Sequence, residues 1–96
     1  MKCHVYIMTN CKNTVLYTGV TSDLKERVNQ HKSKKHSNSF SARYDICKLV
    51  YFERHKSIGD AIKREKQIKG GSRKKKIDLI NGMYPEWIDL SITLDG

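Results

Sequence analysis

The chain has 96 residues, 38% of them hydrophobic, and carries 19 Lys and Arg against 10 Asp and Glu, a net charge of +9. That length excludes a two-domain enzyme and holds one thin core, because a chain of this size buries only about two-thirds of its unfolded surface. The charge favours a polyanionic partner, nucleic acid before an anionic membrane, and the apolar fraction with five Tyr and one Trp excludes an unfolded basic tail.

Cys3 to Met8 reads as a strand, Thr9 to Thr14 as a polar turn and Val15 to Gly19 as a second strand. The resulting antiparallel hairpin brings Tyr6 and Tyr17 close together. Ser22 and Asp23 offer N-caps for a helix with Glu26 three residues after Asp23, and Leu24 and Val28 lie four apart on its apolar side. Arg27 and His31 are also four apart on one stripe of that helix. Residues 32–45 form a basic, Ser-rich connection with Phe40 and Tyr44 interleaved, and its composition predicts a mobile loop. Ile46 to Phe52 reads as the third strand. Ser57 caps a helix through Ile68, with Ile58, Ala61, Ile62 and Ile68 as its apolar positions, and Gly70-Gly71 ends it. Ser72 caps a third helix bearing Ile77, Leu79 and Ile80, with Gly82 expected to stop it. Pro85 to Leu94 closes the chain, and Trp87 is expected to cover one edge of the core.

The charge is unevenly placed. All nineteen cations lie in residues 1–76 beside six acids, so that stretch carries +13, whereas Asp78, Glu86, Asp89 and Asp95 leave the last twenty residues with acids alone. A polyanion should therefore meet the first three-quarters of the chain, and an acidic C-terminal tail at about 83–96 should pack or face away. Arg73, Lys74, Lys75 and Lys76 crowd the first turn of the third helix, where the macrodipole disfavours each cation by about a few tenths of a kcal/mol. A bound phosphate reverses that sign; the competing reading is a solvated charge run kept for solubility. No apolar run approaches the roughly 20 residues of a membrane span, and the N-terminus lacks a signal-peptide core. The expectation is a soluble, cytoplasmic protein with no membrane partner. Three cysteines (Cys3, Cys11, Cys47) without a CxxC pair suit neither a disulfide framework nor a zinc knuckle and read as inert thiols.

His4-Val5-Tyr6, then Tyr17-Thr18-Gly19, then Val20 through Arg27, then His31, resemble the GIY-YIG nuclease domain. The run from Ala61 to Gly70 and the later Pro85-Glu86-Trp87 are similar to its small stand-alone branch. The resemblance covers nearly the whole chain. It implies an α+β fold of one domain over residues 1–96, a small three-stranded antiparallel sheet flanked by about three helices in the order β-β-α-β-α-α. It also implies a metal-dependent endonuclease with Tyr6, Tyr17, Arg27, His31 and Glu65 as catalytic residues, and Glu65 as ligand for Mg²⁺ or Mn²⁺. Four positions depart from the family's pattern: His4, Gly71 and Tyr84 stand where glycine, tryptophan and asparagine are common, and Val20 where some repair nucleases of the superfamily carry a lysine. The arginine and glutamate positions are kept.

The chemistry suits those residue types. Cutting a phosphodiester needs a base for the attacking water, positive charge on the phosphate oxygens and stabilisation of the leaving oxygen. Arg27 offers a planar donor fork to the phosphate, which lysine does not reproduce. A phenol with a pKa of about 10 is a poor base at neutral pH unless nearby cations favour its ionisation. The two tyrosines are not ordered by sequence, although Tyr17 is favoured as base with Tyr6 alongside, and His31 could relay a proton or bond a phosphate. Lys34, Lys35, Arg43, Lys69, Arg73, Lys74, Lys75 and Lys76 are the expected nucleic-acid contacts. Such contacts position a duplex without reading bases. The expected activity is therefore a low-specificity or structure-selective cut in DNA, with RNA left open and a partner protein as a further source of direction. The alternative is a non-catalytic nucleic-acid-binding module that retains the fold. Oligomeric state is not legible in the sequence.

Overall fold

The computed structural model describes residues 3–33 and 44–94. The basic connection expected over 32–45, with Lys34, Lys35 and Arg43, lies mostly outside the described residues. Among those described, the order is β1 (Cys3–Asn10), β2 (Leu16–Thr21), α1 (Leu24–Ser33), β3 (Ile46–His55), α2 (Ile58–Lys69), α3 (Arg73–Met83) and a short 3-10 helix, Leu90–Leu94. The three strands form one antiparallel sheet in the order β2-β1-β3, so the fold is α+β with β1 at its centre.

A central strand covered on both faces buries both of its side-chain rows. From β1, Cys3, Val5 and Ile7 join Val50 and Tyr51 of β3 against Ala61 and Ile68 of α2 and Ile80 of α3. The alternate residues Tyr6 and Met8 pack with Leu24 and Val28 of α1 and with Ile46, Leu49 and Leu90. The β1–β3 register slips twice. Ile7 pairs with Tyr51 but Met8 with Leu49, leaving out Val50; Thr9 pairs with Lys48 but Asn10 with Ile46, leaving out Cys47. The first slip lets two consecutive residues, Val50 and Tyr51, enter the same core, as a bulge does.

Each helix starts where its cap residue predicts. The Asp23 carboxylate accepts from the Glu26 N–H at 3.1 Å, Ser57 Oγ from Asp60 at 3.2 Å and Ser72 Oγ from Lys75 at 3.2 Å. Gly82, however, does not stop α3. The helix continues through Met83 because the Tyr84 N–H still reaches the Ile80 carbonyl at 2.6 Å, and Pro85, which has no N–H, ends it instead. Strand β3 also outruns its apolar stretch, to His55, because Glu53 and His55 find polar partners described below.

The C-terminal segment is packed against the domain. Trp87 is half-buried against the first core, and its indole N–H donates to Asn81 Oδ1 at 2.7 Å. Asp89 accepts from Lys32 Nζ, from the Leu49 N–H at 3.1 Å and from the Ser91 N–H at 3.0 Å, tying the segment to α1 and to edge strand β3. Burial works against the Asp89 charge, but the donors from Lys32, Ser91 and Leu49 outweigh it and hold the carboxyl below its ordinary range. No helix among the described residues is long and apolar enough to cross a membrane.

Candidate active site

Tyr6 and Tyr17 meet because hairpin register puts them on one face, two residues apart on the diagonal. Tyr6 pairs with Gly19 and Met8 with Tyr17, and the two phenol rings lie 6.2 Å apart. Gly19 is what allows it. A Cβ there would stand 2.5 Å from Tyr6 Oη, and Gly19 has no positive φ, so the glycine supplies space rather than an unusual backbone.

Helix α1 delivers the next two groups to different surroundings. Leu24, Val28 and His31 recur at helical spacing on its buried side, so His31 enters the second core from a stripe of apolar residues. Arg27, one turn earlier, is exposed to solvent. His31 Nε2 lies 3.0 Å from Tyr6 Oη, and its ring centroid is 4.8 Å from that of Tyr17. Tyr6 is 1% exposed and His31 8% exposed, while Tyr17 is half-buried.

Burial pushes the Tyr6 hydroxyl far above the ordinary phenol range, and Tyr17 and Glu65 push in the same direction against the opposing charge of Arg27. Burial, then the Arg27 guanidinium, holds His31 below the usual imidazole value. Tyr6 is thus a neutral phenol beside a neutral imidazole at pH 7. It also hydrogen-bonds with Tyr17. One hydroxyl carries one proton, so Tyr6 donates to one of these neighbours and accepts at the other.

Glu65, from α2, acts on Tyr6 through its charge, and its side chain is 15% exposed. Its carboxylate pairs with Lys69 Nζ at 3.3 Å, one turn along the helix. The structure therefore gathers Tyr6, Tyr17 and His31 in direct contact, sets Arg27 within electrostatic reach of Tyr6 and His31 and Glu65 within reach of Tyr6, and ties Lys69 to the Glu65 carboxylate.

The helix that carries Glu65 is fixed by a polar network that the sequence reading missed. Glu53 Oε1 accepts from Arg64 Nε and lies against His55 Nε2, both at 2.8 Å, and Glu53 Oε2 accepts from the Tyr51 hydroxyl at 2.5 Å. Arg64 also donates to Gln67 at 2.7 Å. Burial opposes the Glu53 charge, but the bonds from Tyr51, His55 and Arg64 outweigh it and hold the carboxyl below its ordinary value. Strand alternation carried the signal, since residues 51, 53 and 55 share one face of β3. What the sequence could not supply was Arg64, brought in by another element.

The expected basic contacts divide into two groups. Arg73, Lys74 and Lys75 are exposed on the first turn of α3, and Lys76 is half-buried. Between α2 and α3 an open groove of about 600 Å³ is lined by Arg64, Lys66, Gly70, Gly71, Lys75 and Lys76, among others. Neither tyrosine nor Glu65 lines it, so this cationic groove and the tyrosine cluster are separate features joined through α2.

A family model described as the GIY-YIG catalytic domain matches residues 2–78. A UPF0213 protein of Syntrophus aciditrophicus is 38% identical over 79 residues, covering 82% of this chain and 90% of that protein. A UPF0213 protein of Clostridium perfringens is 39% identical over 82 residues, covering 81% of this chain and 82% of its own. The solution NMR structure of a UPF0213 protein from Bacillus halodurans is similar at a TM-score of 0.54 and 30% identity, with 86% of each chain covered. With the β-β-α-β-α-α order and the paired tyrosines in place, the chain belongs to the GIY-YIG catalytic-domain family.

Proposed function

We propose that the protein is a metal-dependent endonuclease of the cytoplasm that hydrolyses phosphodiester bonds in DNA with low sequence specificity or with selectivity for DNA structure, and that Tyr17 is its general base. The observation that carries this reading is the contact of Tyr6, Tyr17 and His31 beside Arg27 and Glu65. A module that only binds nucleic acid needs cations. It gains nothing from burying a phenol and an imidazole next to a carboxylate.

Exposure supports Tyr17 as the base. Tyr6 is closed to solvent and strongly biased towards its neutral form, whereas half-buried Tyr17 is open to a water. With His31 Nε2–H donating to Tyr6 Oη and Tyr6 donating in turn to Tyr17 Oη, the chain of hydrogen bonds orients the Tyr17 oxygen towards the attacking water, whose proton it takes. Arg27, exposed and one turn from His31, presents its guanidinium to the phosphate oxygens and adds positive charge near Tyr6 and His31.

Glu65 offers oxygen donors to a hard cation. No group of three or more His, Cys, Asp or Glu side chains capable of enclosing a metal stands together among the described residues. That donor set fits Mg²⁺ or Mn²⁺ completed by solvent and substrate phosphate. Glu65 would hold the ion, which would supply charge to stabilise the leaving oxygen. Lys69 must then leave the carboxylate, and its exposed ammonium is free to swing to DNA. Arg73, Lys74, Lys75 and Lys76 hold the duplex backbone without reading its bases.

The test is a cleavage assay on supercoiled, branched and single-stranded DNA with Mg²⁺, Mn²⁺ or EDTA. Cleavage should require the metal, and Tyr17→Phe and Glu65→Gln should each lose about 10²- to 10⁴-fold. DNA binding with no cleavage of any substrate by the wild type would leave the binding module as the function. Cleavage undiminished in Glu65→Gln would remove that residue as the metal ligand.

A further inference from the structure

Two cysteines 36 positions apart in the chain meet at the end of the sheet. Cys11 Sγ and Cys47 Sγ are 2.7 Å apart, a separation approaching the about 2.05 Å of a disulfide bond. The backbone on each side accounts for the meeting. Cys47 is the residue left out where the register passes from Thr9–Lys48 to Asn10–Ile46, and a bulge of this kind re-aims the side chain of its extra residue. Cys11 follows Asn10, whose carbonyl accepts from the Asn13 N–H at 3.0 Å and whose side-chain oxygen accepts from the N–H groups of Thr14 and Val15 at 2.8 and 3.1 Å. Asn13 adopts φ 58° and so closes the turn. The two sulfurs are thus held by a hydrogen-bonded turn and a paired strand. Cys11 is exposed and Cys47 half-buried, while the third thiol, Cys3, is sealed in the core.

We infer that Cys11 and Cys47 are an oxidation site, a thiol pair that closes into a reversible intramolecular disulfide when it meets a peroxide. The exposed Cys11, as thiolate, attacks one peroxide oxygen; the O–O bond breaks, leaving a sulfenic acid on Cys11 and a hydroxide that takes a proton to become water. The Cys47 sulfur then attacks the Cys11 sulfur as its proton departs. The S–S bond forms, the S–O bond breaks, and the leaving hydroxide takes that proton as a second water. Two electrons pass from the thiol pair to the peroxide. Burial, then the neighbouring Cys11, pushes the Cys47 thiol up to about 11, which keeps it protonated and in the second role. The closed ring contains β2 and α1, and with them Tyr17, Arg27 and His31, while Tyr6 and Glu65 lie outside it.

The test treats the full chain with a small excess of hydrogen peroxide. Intact mass, thiol titration in denaturant and peptide mapping under non-reducing conditions are then read, with circular dichroism confirming that each variant is folded. The expected result is the loss of two hydrogens, a fall from three titratable thiols to one, a linked Cys11–Cys47 peptide, a higher thermal midpoint and full reversal by a dithiol reductant. Cys3→Ser should still cross-link, whereas Cys11→Ser and Cys47→Ser should not. Retention of all three thiols, oxygen added at Cys11 without a link, or Cys11-bridged dimers as the main product would each overturn the proposal.

Discussion

Replacing Gly19 by alanine probes how closely the hairpin is fitted around Tyr6. The added carbon would stand 2.5 Å from Tyr6 Oη, 2.6 Å from Cζ and 2.9 Å from Cε1. The ring has little room to retreat, because it is 1% exposed with Tyr17 and His31 against it. Since Gly19 has no positive φ, alanine fits the backbone and gains about 0.4–1 kcal/mol through a less flexible unfolded chain. Overpacking opposes this by about 1–3 kcal/mol, and three contacts below 3 Å on a pinned ring set the cost in its upper range. The net loss is about 1–2 kcal/mol, a fall in thermal midpoint of roughly 4–16 °C for a domain of this size. Circular dichroism melts measure it, and Tyr6→Leu supplies the control. With the phenol gone, the same alanine should cost little, giving a coupling of about 1 kcal/mol or more between the two sites. A Gly19→Ala protein that melts like wild type, or one equally destabilised in both backgrounds, would refute the steric reasoning.

Asp89→Ala should lower stability by about 1–3 kcal/mol in a thermal melt, because the Leu49 N–H and Lys32 lose the carboxylate that they share. Arg27→Lys should cut cleavage roughly 10- to 100-fold, by losing the planar fork, and leave stability within about 0.5 kcal/mol, because the side chain is exposed. Stability should fall with acid in two stages, read as urea midpoints against pH. His31 is held below its ordinary 6.5, so as pH drops through that value the unfolded chain takes up a proton that the folded chain resists. Glu53 and Asp89 are held below 4.5 and 3.8, so their contribution is complete above those values and is lost as pH falls through the lowered ones. His31→Gln should abolish the first decline and keep the second.

The readable parts of the chain were those set by local rules. Ser57, Ser72 and Asp23 mark helix starts because a capping side chain reaches only three residues ahead. The diagonal approach of Tyr6 and Tyr17 follows from hairpin register, and His31 on the buried side of α1 from its spacing to Leu24 and Val28. Contacts that depend on how elements dock were hidden. Arg64 on Glu53 joins residues 11 apart, Asp89 on Lys32 joins residues 57 apart, and the thiol contact depends on a register slip that no spacing rule announces. Gly82 failed as a stop signal for a related reason. A glycine ends a helix when the chain needs a left-handed residue there, and here Pro85 does the work without one.

The docked C-terminal segment also governs what the sheet can join. Strand β3 lies at one edge, where unpaired backbone groups invite a strand from another chain. Asp89 already takes the Leu49 N–H, and Lys48 is drawn to the Trp87 carbonyl, so this edge is plugged from within its own chain. The family match ends at residue 78, before either contact. A chain cut after Met83, past the core residue Ile80, would keep Tyr6, Tyr17, Arg27, His31 and Glu65 and lose Leu90 with the plug. Self-association through an open β3 would then be its characteristic failure, with the chemical groups still in place.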